Sequence, residues 1–249
     1  MEPKVMVYIP YHSYMNYIRE CLDSVVSQSY KNQEIILADN ASSDGIEELL
    51  KTAYPTVKLI KYDTYNEIAN PGVNDALKMT DATYFTTLGS DDRLAENYWE
   101  QTLPYFTSPD VAVVRVGCYQ FSEKNPEGSW WKPFHFNGPT DILTQNKIFI
   151  TSPSRVVAWR EAGDVDTNCF FSDWDMWIRI LLNGWKWTTL MKPMFWYRRH
   201  PMAWSVNYDT RINGPAYTYM RNKWLPTLKK FGITGSSMAT QQQIEEYKP

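Results

Sequence analysis

The 249-residue chain is short of the residues that announce a site by themselves: it has three cysteines, three histidines and eleven glycines. Cys21, Cys118 and Cys169 are odd in number, far apart and without paired metal-ligand spacing, which predicts reduced, buried thiols in a cytosolic setting. No uncharged apolar run approaches the ~18 residues of a membrane span. Met1-Glu2-Pro3-Lys4-Val5 leads almost at once into an apolar stretch and leaves no room for a signal peptide. The expectation is a cytoplasmic protein, peripheral to a membrane at most. A basic excess is missing too. With 25 Lys and Arg against 28 Asp and Glu, the formal net charge of −3 gives no electrostatic footprint for nucleic acid. The expected partner is small or neutral.

Aromatic residues are abundant, with 11 Trp, 17 Tyr and 10 Phe. Many must fill the core that a chain of this length can bury, but flat amphipathic rings also suit stacking on bases and sugars.

Short apolar runs alternate with helical periodicity through the first half. Val5 to Ile9 reads as a buried strand stopped by Pro10. Tyr17, Ile18, Cys21, Leu22, Val25 and Val26 recur at helical spacing. Strands are expected at Glu34 to Ala38, Val57 to Ile60, Tyr84 to Leu88 and Val111 to Cys118, with helices at Ile46 to Thr52, Val73 to Met79 and Ala95 to Phe106. This alternation predicts an α/β fold with a doubly wound, mostly parallel sheet and its site at the carboxyl ends of the strands. Residues 122–140 read as a long aromatic-lined loop. Trp174 to Leu182 and Ala216 to Lys229 read as helices, and Met194 to Tyr197 as a closing strand.

Leu88-Gly89-Ser90-Asp91-Asp92 places adjacent carboxylates at the end of a predicted strand, where a hard divalent cation carrying phosphates finds its oxygen ligands. The competing reading is ordinary turn and helix-cap chemistry.

Further segments support the first reading. Pro10-Tyr11-His12-Ser13 followed by the helix of Tyr17 to Val25 and Gln28-Ser29-Tyr30, then Glu34 to Gly45, Asn70-Pro71-Gly72, Gly89-Ser90-Asp91-Asp92, Ser172-Asp173-Trp174-Asp175 and Tyr197-Arg198-Arg199-His200 occur in one collinear order. In that order they resemble the family 2 glycosyltransferases of the GT-A fold, over about residues 4–205. The resemblance implies a single GT-A-like domain over 1–249. Its parts are a nucleotide-sugar-binding half (1–118), an acceptor and catalytic half (119–205) and a C-terminal extension (206–249).

The implied reaction is transfer of a sugar, with inversion, from a nucleotide-diphosphate donor to an acceptor hydroxyl, assisted by Mn2+ or Mg2+. A UDP-sugar is the expected donor, and a saccharide or other hydroxyl compound the acceptor. Pro10, Tyr11 and His12 are expected at the lip of the nucleotide pocket, Asp39 as an acceptor to the base or ribose, and Asn70, Ser90 and Asp91 elsewhere along the donor. Asp91, Asp92 and His200 are the candidate metal ligands. Gly89 stands where the family pattern has the first Asp of its Asp-x-Asp motif. Asp173 matches the family's catalytic base, with Asp175 as the alternative and Ser172 in place of the usual Glu. Trp130 and Trp131 are expected to stack on the acceptor. Two other readings remain: a non-catalytic nucleotide-sugar-binding scaffold, and a nucleotidyltransferase. The latter is disfavoured because Pro10 to Tyr17 lacks the Gly-rich, basic triphosphate loop.

Overall fold

The structure is a computed structural model and describes residues 2–66, 68, 71–136, 138–203 and 213–238. In chain order the elements are β1 (Val5–Tyr11), α1 (Met15–Val26), β2 (Gln33–Asn40), α2 (Ile46–Ala53), β3 (Lys58–Tyr62), α3 (Gly72–Met79) and β4 (Tyr84–Thr87). They are followed by β5 (Arg93–Leu94), α4 (Tyr98–Thr102), β6 (Val111–Ser122), β7 (Asn125–Trp131), β8 (Ser154–Arg155), α5 (Val156–Ala162), α6 (Ser172–Leu182), β9 (Lys186–Arg198) and α7 (Asn213–Lys230).

One mixed sheet runs in the order β3-β2-β1-β4-β8-β6-β9-β5, with β7 paired to β6. The β3-β2-β1-β4 block and the β6–β9 pair are parallel. β8 joins these two parts antiparallel to both of its neighbours. The chain winds outward from β1 to β3 and then crosses back to β4, so strand order reverses between β1 and β4. A sheet leaves a crevice at the carboxyl ends of such strands.

Because β1 is covered on both faces, it reads as a continuous apolar run, and its side chains divide by the period of two. Val5, Val7 and Ile9 pack with Ile18, Leu22 and Val25 of α1 and Leu49 and Leu50 of α2. Met6 and Tyr8 face the opposite core with Val73 and Leu77 of α3, Trp159 of α5 and Trp174 and Trp177 of α6. Trp224, Leu225 and Leu228 bring α7 into that second core.

The structure revises four expectations. β1 continues through Pro10 to Tyr11; β4 pairs only as far as Tyr8, so Pro10 lies where β1 has a partner on one side alone. The helix expected from Ala95 is shortened, since the Ala95 N–H donates to Met194 O and Pro104 falls in a 3-10 turn, Leu103–Tyr105. Residues 125–131, read as loop, form the exposed strand β7 of a hairpin with β6. The closing strand is 13 residues long and carries Pro193 opposite Gly117, where the β6–β9 register shifts and a lost N–H is tolerated.

Candidate active site

A cavity of about 440 Å³ opens at the strand-order reversal. The ends of β1 and β2 contribute Pro10, Tyr11, His12 and Asn40, and the loop after β3 adds Tyr65 and Asn66. Gly89, Ser90, Asp91 and Asp92 enter from the turn after β4, and Ser172 and Asp173 from the start of α6. Tyr8, Val73, Trp159 and Phe170 give it an apolar wall.

At the β2 end, the His12 ring stacks on Tyr65 with centroids 4.1 Å apart, and its Nδ1 lies 2.8 Å from Asn40 O. Asn40 and Asn66 exchange hydrogen bonds: Asn40 Nδ2 donates to Asn66 O at 2.8 Å, and the Asn66 N–H donates to Asn40 Oδ1 at 3.0 Å. These contacts fix a polar rim with a ring face. Tyr11 is buried and donates its hydroxyl to Asp44 Oδ2 at 2.5 Å. Burial and that carboxylate push its phenol far above the ordinary range.

Asp39 takes a different place from the one expected. It is buried, its Oδ1 accepts the Ser42 N–H at 2.9 Å, and it is not among the residues lining the cavity. The bond holds a turn in which Ala41 has φ 63° and Ser13 opposite has φ 55°, the two linked by Ser13 N–H donating to Ser42 Oγ at 3.0 Å. The cap of α2 is Gly45 at φ 89° with no side-chain bond. The neighbouring Asn40 is the β2 side chain on the cavity, as period-two alternation permits and the motif reading missed. Asn70 lies outside the described residues.

The two carboxylates after β4 differ sharply. His200 Nε2 lies 3.0 Å from Asp91 Oδ2. Asp92 is buried, and its Oδ1 accepts the Arg198 N–H at 2.8 Å. Burial, and then the charge of Asp91, hold the Asp92 carboxyl well above the usual range. The short β5–β9 ladder, Arg93 opposite Trp196, brings these distant segments together. Gly89 leaves the carboxylates room, because a Cβ there would stand 2.9 Å from oxygens of both Asp91 and Asp92. A side chain at this position, such as the Asp of the family pattern, would require them to move.

Among the described residues no group of three or more His, Cys, Asp or Glu could hold a metal ion. Of the carboxylates lining the cavity after β4, Asp92 is engaged by the Arg198 N–H, which leaves Asp91, with the nitrogen of His200 beside it, as the candidate donor pair. Among the described residues the buried Nδ1 of His200 has no hydrogen-bond partner, and the Asp91 carboxylate is the contact of its Nε2. This donor set fits a divalent cation whose remaining ligands are phosphate oxygens and water.

Asp173 and Asp175, two positions apart on α6, face different surroundings. Asp173 lines the cavity, with Oδ2 accepting Asn146 Nδ2 at 2.9 Å and Oδ1 accepting the Trp174 N–H at 2.7 Å. Burial raises its pKa, and these two hydrogen bonds offset part of the shift. Asp175 is fully buried away from the cavity and saturated by Arg179, Lys223 and Trp224. Asn146 was not anticipated; no motif points to it, and only the fold brings it to Asp173.

Trp130 and Trp131 are not among the lining residues. Trp130 lies across Gly117 of β6, where a Cβ would overlap its ring, and beside Tyr119. Trp131 is 41% exposed and stacks on Phe149 with centroids 6.3 Å apart.

Residues 6–172 match the model of glycosyl transferase family 2, and the chain belongs to that family. An uncharacterized glycosyltransferase of Rickettsia typhi is 31% identical over 196 residues, covering 72% of this chain and 59% of its own length. Glycosyltransferase GlyA of Streptococcus pneumoniae is 29% identical over 139 residues, 55% of this chain and 19% of its own. The chain thus spans less than two thirds of these relatives. Among solved structures, S. aureus TarS 1–349 in complex with UDP-GlcNAc matches with a TM-score of 0.75 at 16% identity, covering 90% of this chain and 66% of that one. The mannosyltransferase PcManGT from Pyrobaculum calidifontis, in complex with GDP-Man and Mn2+, matches with a TM-score of 0.66 at 14% identity, over 92% of this chain and 65% of that one. At these identities the likeness is one of fold, and the fold is GT-A-like.

Proposed function

We propose that the protein transfers a glycosyl group, with inversion, from a nucleoside-diphosphate sugar to an acceptor hydroxyl, with a divalent cation at the diphosphate. The carrying observation is that one cavity joins the stacked His12–Tyr65 rim, the Asp91 carboxylate and the Asp173 carboxylate, with His200 in contact with Asp91. The complexes of the two structural neighbours, one with UDP-GlcNAc and one with GDP-Man and Mn2+, support a nucleotide-sugar donor. A UDP-sugar is the first to test. Among the described residues no helix is long and apolar enough to cross a membrane.

In this reading Pro10, Tyr11, His12 and Asn40 receive the nucleoside, and Ser90 and Asp91 the diphosphate. Asp91 and His200 would hold the cation, which supplies positive charge to the leaving diphosphate. Asp173 accepts the proton of the attacking hydroxyl. Burial favours proton uptake by that carboxylate, while Asn146 and the Trp174 N–H hold it in place. Trp131, exposed beside Phe149 and outside the cavity lining, is a ring for a part of the acceptor that extends beyond the cavity.

A thermal-shift screen of UDP- and GDP-sugars with Mn2+, followed by donor hydrolysis, tests this. A donor at 100 times its dissociation constant should stabilise the fold by about 2.7 kcal/mol. Binding without any turnover would return the non-catalytic reading, and preference for nucleoside triphosphates the nucleotidyltransferase one.

A further inference from the structure

The segment from Asp166 to Asp175 carries Phe170, Ser172 and Asp173 to the cavity, and α7 contacts both of its ends. Lys223 Nζ stands 2.8 Å from Asp166 Oδ2 and 2.9 Å from Asp175 Oδ1, so one ammonium joins the two ends of the segment. Tyr219 donates to the same Asp166 oxygen at 2.5 Å, and Trp224 Nε1 to the same Asp175 oxygen at 2.9 Å. Between these ends, Cys169 Sγ lies 3.4 Å from Met220 Sδ, and the Phe171 ring 4.7 Å from that of Tyr217. Successive turns of α7 therefore hold both ends and the middle of the loop before α6. Residues 213–230 lie outside the family match, which ends at 172.

We propose that Lys223 is a positioning residue for Asp173: by bridging Asp166 and Asp175 it closes the loop that sets the carboxylate against the acceptor. The proposal rests on Asp173 being the base. Lys223 does not touch Asp173, so its effect passes through the backbone of the segment. Reaction geometry is sensitive to such shifts, since a displacement of about 1 Å can cost ~10²-fold in rate. Donor binding should be spared, because Asp91 and His200 sit on the turn after β4 and beyond the end of β9. Asp175 stays neutralised without Lys223, as Arg179 Nε and Nη2 both reach its Oδ2 at 2.9 Å. Loss of the lysine thus leaves no unpaired buried charge at that position.

The test uses the full chain with Mn2+ and the UDP-sugar hydrolysed fastest in the donor screen. Lys223→Met should lower kcat about 10- to 100-fold, with donor KM and UDP affinity within about twofold. Lys223→Arg should restore most of the rate, and hydrogen exchange should speed up in 166–175 but not in 88–94. In an Asp173→Asn background, Lys223→Met should have no further effect on kcat. If Asp173→Asn kills turnover while Lys223→Met leaves kcat intact, the positioning role is overturned and the base stands. If Asp173→Asn remains active, the base reading falls and this proposal with it. Equal losses of kcat and UDP affinity would mark Lys223 as merely structural and reject the proposal. Should the methionine variant not fold, Lys223→Gln is judged by the same ratio.

Discussion

His200 Nε2 stands 3.0 Å from Asp91 Oδ2 across 109 positions of the chain, brought there by the two-residue pairing of β5 with β9. The ring is enclosed by Tyr14 and Tyr17, with centroids 5.6 and 4.5 Å away, so its position is set by packing as well as by the carboxylate. A cation at the diphosphate would take over the role each partner now plays for the other. Asp91→Ala should therefore abolish the Mn2+-dependent part of UDP binding, a loss of at least about tenfold, while the fold remains. His200→Gln should weaken the same part less. Calorimetric titration of UDP with Mn2+ and with chelator checks both; unchanged Mn2+ dependence in Asp91→Ala would remove this residue from the site.

Asp92 is expected to behave differently. Its Oδ1 accepts the Arg198 N–H, so Asp92→Ala leaves that donor unpaired at a cost of about 1–3 kcal/mol. Asp92→Asn keeps an acceptor and removes a charge that burial and Asp91 both disfavour. Urea unfolding without divalent cations should rank asparagine level with or above the native protein, and alanine below it.

Much of the first 118 residues was legible because β1, β2, β4 and the start of β6 are largely buried and α1, α2 and α3 are amphipathic, so these elements announce their period. β1 shows this: both cores are written into alternate residues of Val5–Ile9. The second half was less so. β7 is exposed and opens on Asn125-Pro126, β9 is interrupted at Pro193, and β8 has two residues, too few for any period. At the site, motif order located the loops that meet, but not which side chain of each loop turns inward. That Asn40 and not Asp39 lines the cavity follows strand alternation, and that Asp175 is held away from it follows α7, a long-range partner that no local pattern reveals.

The turn at Ala41 holds a Cβ in the left-handed region, φ 63°, where L-residues are strained. Ala41→Gly should relieve that strain and, after the added entropy of the unfolded chain, stabilise the protein by about 0.5–1 kcal/mol. Denaturant midpoints check this. A destabilised variant would show that the Ala41 methyl makes a contact worth more than the strain.

The paired tryptophans of β7 should separate. Trp130 covers Gly117 in the β6–β7 hairpin, so Trp130→Ala should lower stability by part of the about 3–5 kcal/mol of a fully buried tryptophan. Trp131→Ala, at an exposed position, should leave the melting temperature nearly unchanged and raise the KM for a saccharide acceptor. Early melting of Trp131→Ala with unchanged acceptor KM would assign its ring wholly to packing with Phe149.

Asp173 carries the sharpest expectation. A general base acts in the transition state, so Asp173→Asn should lower kcat about 10²- to 10⁴-fold with donor affinity nearly intact. The sign of the pH dependence follows from its surroundings. Burial raises the carboxyl pKa, so the acid limb of kcat should lie above that of an exposed aspartate, near ~3.9. Asn146 opposes that shift by donating to Oδ2, so Asn146→Ala should move the limb further up in pH. Stability should respond in the same sense. A carboxyl with a raised folded pKa stabilises the fold at low pH, and that contribution is lost as pH rises from the unfolded to the folded value. Asp173→Asn removes this loss, so its stability relative to the native protein should improve across that interval. Rate profiles and urea midpoints from about pH 4 to pH 8 provide the check; a limb that stays fixed in Asn146→Ala would assign it to a group other than Asp173.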